Sequence, residues 1–435
     1  MKKVLLGTLA VLTLAACSKD EVIQQNPNDE ISFSVVTNKA VSRAADGYCN
    51  NETPATMTVS ALYTDDNGSS WKKYFTNELY KKEGSDKGGK KYVISSGINR
   101  YWPDLGDNTD DTKMKIFAMV NASPVPSLDE STGKMTVTDF TVNSTVSLQT
   151  DVLYALQEVE QRPTEGEQKI NFRHALSQIE FMAQNKNKNI YVEITGVQVM
   201  NVWDKGTVTF DQSTDGNVIT HTTPGSGSYP AADKVCDWDG YKNSSDDSNA
   251  AAKSNFGVTF TEVKLSQKKV TAEIPTVTYG ATQADASSLT TEDGLEHEWN
   301  TNTMYLLPQA ITAWDPATDA KPAAGKGSYF LVKTKIWNVP AGDGKRADTV
   351  NDVVLWDNTK GGDDQFIAIP IPAITWKPGK RYVYTFVFTT SGNGGYNPDP
   401  TDPSKPEPVL TPITLSVTVD DFVDGGNTDV SMVKP

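Results

Sequence analysis

The strongest constraint on what this chain can fold into is a punctuated period of two. Short runs place an apolar residue at every second position and are then cut by Gly, Pro, Asn or Asp. Ile31, Phe33 and Val35 alternate with Ser32 and Ser34, so an extended backbone turns all three apolar side chains to one face. Met57, Val59, Ala61 and Tyr63 against Thr56, Thr58 and Ser60 repeat the pattern. With 23 prolines and 31 glycines spread over 435 residues, long helices have little room.

Residues 115–120 read as a nearly continuous apolar strand, and 136–138 and 145–148 as further short strands. In 190–203, Val192 and Ile194 alternate, and Val197 and Val199 then continue one residue out of phase. The slip at Gly196 predicts a bulge. Strands are predicted again at 257–260, 269–274, 304–307, 329–337, 366–369, 382–388 and 413–419. The polar stretches 83–91, 211–256 and 392–408 read as solvated loops, the second as a long surface insertion. Strands do not alternate with helices, so antiparallel β-sandwiches are the expected architecture, and the length accommodates two. A polar, Pro-containing break near residue 165 divides them into 31–165 and 166–422, followed by a tail at 423–435.

The N-terminus carries a targeting signal. Lys2 and Lys3 precede an apolar run over 4–16, too short for a bilayer that needs ~20 residues. Leu14-Ala15-Ala16-Cys17 resembles the bacterial lipobox, with cleavage between Ala16 and Cys17 and acylation of the Cys17 thiol. Residues 1–16 are then a signal peptide and 17–30 a lipidated tether. More than one acyl chain on Cys17 suffices for stable anchoring, at ~0.8 kcal/mol per buried CH₂. Of the three cysteines, Cys49 and Cys236 remain. They lie far apart without framework spacing, which favours two buried free thiols and leaves a disulfide open.

The net charge of −15 argues against nucleic acid as a partner. His174, His221 and His297 are the only three histidines, and none stands at metal-ligand spacing from another His or Cys. No nucleophile elbow or phosphate loop occurs, and no carboxylate spacing singles out a glycosidase pair. His174 reads as a core histidine and His297 as a loop residue. Asp65-Asp66-Asn67-Gly68 and Asp237-x-Asp239-Gly240 read as solvated turns, lacking the remaining ligands of a calcium loop. The expectation is a non-enzymatic protein without cofactor or metal.

Several segments, in order along the chain, resemble the fimbrillin-like family of Bacteroidales type V pilus subunits. They are the lipobox with Ile31-Ser32-Phe33-Ser34 and Ser42-Arg43-Ala44, then Tyr101-Trp102-Pro103, Asp151-Val152-Leu153-Tyr154-Ala155 and Phe172-Arg173-His174-Ala175-Leu176. Leu306-Leu307-Pro308-Gln309, 376–384 and Val417-Thr418-Val419 before Asp421-Phe422 complete the series. Phe422 stands where the family often has Trp, and 211–256 is longer than the family pattern.

The resemblance implies two tandem transthyretin-like Greek-key β-sandwiches and a lipoprotein delivered to the outer membrane and the cell surface. The short acidic tract at Asp20 and Glu21 is similar to the export signal of such lipoproteins. It further implies that a trypsin-like protease cuts between Arg43 and Ala44. The strand bearing Ile31, Phe33 and Val35 then leaves, and other fimbrial subunits add a strand in its place. The tail at 423–435 has few apolar residues, which suits a tip or accessory subunit better than a strand donor. Adhesion to a host or bacterial surface glycan or protein is expected at 211–256 and 279–301, where the rings of Trp238, Tyr241 and Trp299 are candidates to stack on sugars. The alternative is a surface glycan-binding lipoprotein that never polymerises.

Overall fold

The computed structural model describes residues 30–35, 54–84, 91–95, 98–103, 113–159, 167–170, 172–211, 236–244, 254–265, 271–274, 304–339, 352–357, 366–390, 394–409 and 413–421. Within them the regular structure is β-strand plus one 3₁₀ turn, the all-β sandwich architecture expected from the alternation. The first strands are β1 (Phe33–Val35), β2 (Thr56–Thr64), β3 (Lys72–Lys82), β4 (Lys91–Ile94), β5 (Lys113–Val120), β6 (Ser127–Asp129), β7 (Lys134–Thr141), β8 (Leu153–Val159), β9 (Gln168–Ile170) and β10 (Arg173–His174).

Eight of these form one sheet in the order β10-β8-β5-β2-β3-β4-β1-β9. Its pairs are antiparallel except β1 with β9, which run parallel. The sheet curls until its ends enclose a core of their own. Phe33 and Val35 of β1, Val59 of β2, Tyr80 of β3, Ile116 of β5 and Ile170 of β9 all belong to one buried cluster. A bulge assists the curl: the β2–β3 register slips on either side of Ala61, and Asn77 opposite adopts φ +55°. The Asn77 N–H donates to Ser60 Oγ at 2.8 Å, which holds that turn of backbone in place.

The remaining strands are β11 (Ser177–Asn185), β12 (Ile190–Val202), β13 (Lys205–Phe210), β14 (Cys236–Lys242), β15 (Ser254–Leu265), β16 (Thr271–Ile274), β17 (Met304–Leu306), β18 (Ala310–Ile311), β19 (Tyr329–Asn338), β20 (Val353–Trp356), β21 (Phe366–Pro370), β22 (Ile374–Thr375), β23 (Lys380–Phe388) and β24 (Ile413–Asp421). One sheet runs β16-β11-β23-β24 with β17 also on β11, and another runs β15-β12-β19-β20 with β21 also on β19. The two pack face to face through aromatic side chains. Phe181 of β11 meets Phe330 of β19 edge-on at 5.3 Å, and Phe330 meets Tyr384 of β23 at 4.9 Å. The predicted bulge is present: β12 slips register between Ile194 and Gly196 against both β15 and β19.

A third sheet, β14-β13-β7-β6, joins strands from either side of residue 165. It packs on the eight-stranded sheet where β5 is buried on both faces. Ile116 and Ala118 point into the curled core, while Phe117 and Met119 join the larger core with Val137, Val208 and Phe210.

Two expectations are corrected here. Residues 145–148 are no strand: Val146–Leu148 form a 3₁₀ turn. Leu148 N–H donates to the Thr145 carbonyl at 2.9 Å, so the β-branched pair there is tied up locally instead of joining a ladder. The stretch 211–256 is not loop throughout, since it holds β14 and the start of β15.

Candidate strand-exchange site

The strand named from the sequence as removable lies inside a sheet. β1 pairs Phe33 with Tyr92 and Ser34 with Lys91 on one side. On the other it pairs Phe33 with Gln168, Ser34 with Lys169 and Val35 with Ile170. Just before it, Ile31 N–H donates to the Arg100 carbonyl at 2.7 Å, and Gln168 N–H donates to the Ser32 carbonyl at 2.9 Å. Ile31, Phe33 and Val35 are 1%, 0% and 4% exposed, which is what the alternation with serine demands.

The walls around these side chains are aromatic. Phe33 meets Tyr80 edge-on with ring centroids 4.9 Å apart. The Tyr80 hydroxyl is buried and finds no hydrogen-bond partner among the described residues, and desolvation pushes its pKa up. Tyr92 also faces the slot, and its hydroxyl donates to the Pro54 carbonyl. Arg100 closes one end, ion-paired with Glu78 and lying 5.8 Å from the Phe75 ring. At ~1.5–3 kcal/mol for each fully buried large apolar side chain, the three residues of the slot contribute on the order of 5–9 kcal/mol. That is comparable to the whole stability of a typical domain, ~5–15 kcal/mol. An emptied slot of this kind demands a substitute.

The sequence missed the slot's far wall. β9 is only Gln168–Ile170, too short to show alternation, and its parallel pairing with β1 has no local signal. β4 was readable in Tyr92-Val93-Ile94 but was hidden by the Gly- and Lys-rich stretch before it.

Other sequence-named residues fall elsewhere. Ala16, Cys17, Arg43, Ala44, Cys49 and Trp299 lie outside the described residues, as do His221 and His297. Trp238 is not on a loop: it sits in β14, 8% exposed, its ring edge-on to Phe140 at 5.6 Å and its Nε1–H donating to the Ala175 carbonyl at 2.9 Å. The face a sugar would need is occupied by the protein's own core. Tyr241 ends the same strand half-buried, donating its hydroxyl to the Pro308 carbonyl at 2.5 Å.

Cys236 is a free, buried thiol whose pKa desolvation pushes up, which makes it inert. His174 is a buried histidine whose Nδ1 meets the Asp151 carboxylate. Asp66 forms a turn: it accepts from Thr64 Oγ1 at 2.6 Å and Ser70 N–H at 2.9 Å, as well as from the Ser70 hydroxyl. These bonds, led by the Ser70 hydroxyl, lower its pKa to about 2. Among the described residues no group of three or more His, Cys, Asp or Glu could hold a metal ion.

One cleft lies at the junction of the sheets. It encloses about 180 Å³ and has an apolar floor of Phe140, Leu176 and Tyr305. Its rim carries Asn121, Ser123 and Thr150, and no charged side chain lines it.

Face-packed sheets, antiparallel except where β11 pairs in parallel with β23 and β1 with β9, an aromatic sandwich core and a short strand held in a curled sheet define an all-β sandwich protein. The chain belongs to the fimbrillin-like family, whose model matches residues 42–418. It is similar in fold to a fimbrial protein from Bacteroides vulgatus, with a TM-score of 0.50 at 13% identity, covering 90% of this chain and 99% of that one. A fimbrial assembly protein from Parabacteroides distasonis aligns at a TM-score of 0.33 and 10% identity, covering 90% of this chain and 95% of that one. No curated protein matches the sequence at a significant level. Family membership makes this a fimbrillin-like protein.

Proposed function

We propose that this chain is a fimbrial subunit of the tip or accessory type, exported as a lipoprotein on Cys17 and assembled by protease-triggered exchange of β1. The observation that carries the reading is the burial of Ile31, Phe33 and Val35 in a strand flanked on both sides. Cleavage between Arg43 and Ala44 falls between β1 and β2. It leaves β1 held only by main-chain hydrogen bonds and side-chain burial, the interactions a strand from another subunit can reproduce. A carrier lipid on Cys17 would then depart with β1, and the mature subunit would join a fibre at the cell surface.

Mass spectrometry of the surface protein tests the reading. The expected mature N-terminus is Ala44. Finding acylated Cys17 alone, with no species starting at Ala44, refutes it. The uncharged cleft at the sheet junction favours the second reading, a surface lipoprotein that binds glycans without polymerising. Electron microscopy of cells with and without the gene separates the two, because only the first adds to a fibre.

A further inference from the structure

The outward face of the β1 slot is as specific as its inward face. Residues in register on neighbouring strands point to the same side of a sheet, so Lys91 of β4, Ser34 of β1 and Lys169 of β9 form one cross-strand row. Both lysines are exposed and Ser34 is half-buried between them. Lys91 lies 3.5 Å from the Glu83 carboxylate, while Lys169 has no ion-pair partner among the described residues. The serine that β1 places there answers neither charge. One step back along the parallel register, Glu167 comes level with Ser32, so the neighbouring outward position sits beside a carboxylate.

We infer that the strand which replaces β1 is selected by charge. It is an extended segment of another subunit with apolar residues at the positions of Ile31, Phe33 and Val35. It carries a carboxylate at the position of Ser34 and none at the position of Ser32. The inference rests on the strand-exchange reading and adds the identity of the incoming segment. Cβ atoms of antiparallel neighbours such as Ser34 and Lys91 lie ~4.5–5.5 Å apart, and parallel strands such as β1 and β9 run ~4.7–4.9 Å apart, both inside the ~8 Å screening length of physiological salt, so the pairings persist there. The two lysine pairings, that of Lys91 weakened by its ion pair with Glu83, favour a carboxylate over a neutral residue by up to about fivefold. They favour it over an ammonium group by on the order of thirtyfold.

The full chain, with β1 in place, tests the charge preference without exchange. Ser34→Glu, Ser34→Gln and Ser34→Lys are compared by urea unfolding, and the folded-to-unfolded ratio is expected to fall in that order, about fivefold per step. Lys169→Gln is expected to shrink the spread, and Ser32→Glu to give no gain. Equal stability of Ser34→Glu and Ser34→Lys overturns the inference. The second arm uses chain cut after Arg43 and synthetic peptides copying residues 29–37 with Glu or Lys at position 34. Preferential capture of the Glu peptide supports selection. Equal capture of both leaves exchange standing and overturns selection, whereas capture of neither removes the exchange reading and this inference with it.

Discussion

Replacing Phe33 by alanine in the uncleaved chain tests whether β1 is integral to the curled sheet or merely laid against it. The Phe33 side chain is 0% exposed and meets the Tyr80 ring at 4.9 Å. Truncating a buried Phe to Ala costs ~3–5 kcal/mol, of which the ring pair accounts for about 0.5–1.5 kcal/mol. Because β1 bridges β4 and β9, the loss falls on the amides that bond to it as well as on its own. A cost of ~4 kcal/mol corresponds to about a thousandfold rise in the opening equilibrium of that part of the sheet. Hydrogen exchange read by mass spectrometry should show protection falling by that order in peptides covering 91–94 and 168–170. Peptides covering 380–388, in the sheet of β11, β23 and β24, should change little. Ser34→Ala, on the half-buried outer side of the strand, is the control and stays within about 0.5 kcal/mol of the parent. If Phe33→Ala exchanges like Ser34→Ala at 91–94 and 168–170, β1 does not hold the sheet together and the argument from its burial fails.

Trp238→Ala should cost ~3–5 kcal/mol in chemical denaturation, and any loss of adhesion should track the loss of folded protein, because the ring packs on Phe140. Gly327→Ala should destabilise by about 3 kcal/mol or more: Gly327 has φ +105°, and an added Cβ would lie 2.5 Å from the Ala313 carbonyl oxygen. Asp66 has its folded pKa lowered to about 2, so its contribution is complete above the ordinary carboxylate value near 3.8 and is lost as pH falls toward 2. Asp66→Asn should therefore flatten the pH dependence of unfolding only in that window, as read by urea midpoints between pH 5 and pH 2. Cys236 should resist alkylation in the folded protein and react only on unfolding, as seen by peptide mass mapping, since burial both hides the thiol and raises its pKa.

What the sequence made legible was local and periodic. The alternation at Ile31, Phe33 and Val35 survives as a buried face, whereas over 56–63 it holds for Met57, Val59 and Ala61 only: Ser60 and Leu62 are buried too and Tyr63 is half-buried, because the register slips at Ala61. The one-residue slip at Gly196 is visible because a period of two reverses every side chain when a residue is inserted. β14 also alternates, with Trp238 between Asp237 and Asp239, but its Asp and Gly content reads as loop. What makes it a strand is its pairing with β13, Val208 opposite Trp238. The wall of the slot was out of reach for the same reason, since Gln168–Ile170 becomes a strand only because β1 lies alongside.

β5 shows how a sequence pattern can hold more than its first reading extracts. A half-buried strand alternates, whereas residues 115–120 run almost without a polar interruption, which reads simply as a buried strand. The structure gives that continuity a physical cause. Ile116 and Ala118 fill the core that holds Phe33, while Phe117 and Met119 pack against the sheet containing β7 and β13. The single polar side chain in the run, Lys115, lies 4.3 Å from the Trp71 ring, and desolvation lowers its pKa. A strand buried on both sides makes two cores share one backbone. β1 therefore packs on the reverse face of the same strand that meets the sheet of β7 and β13.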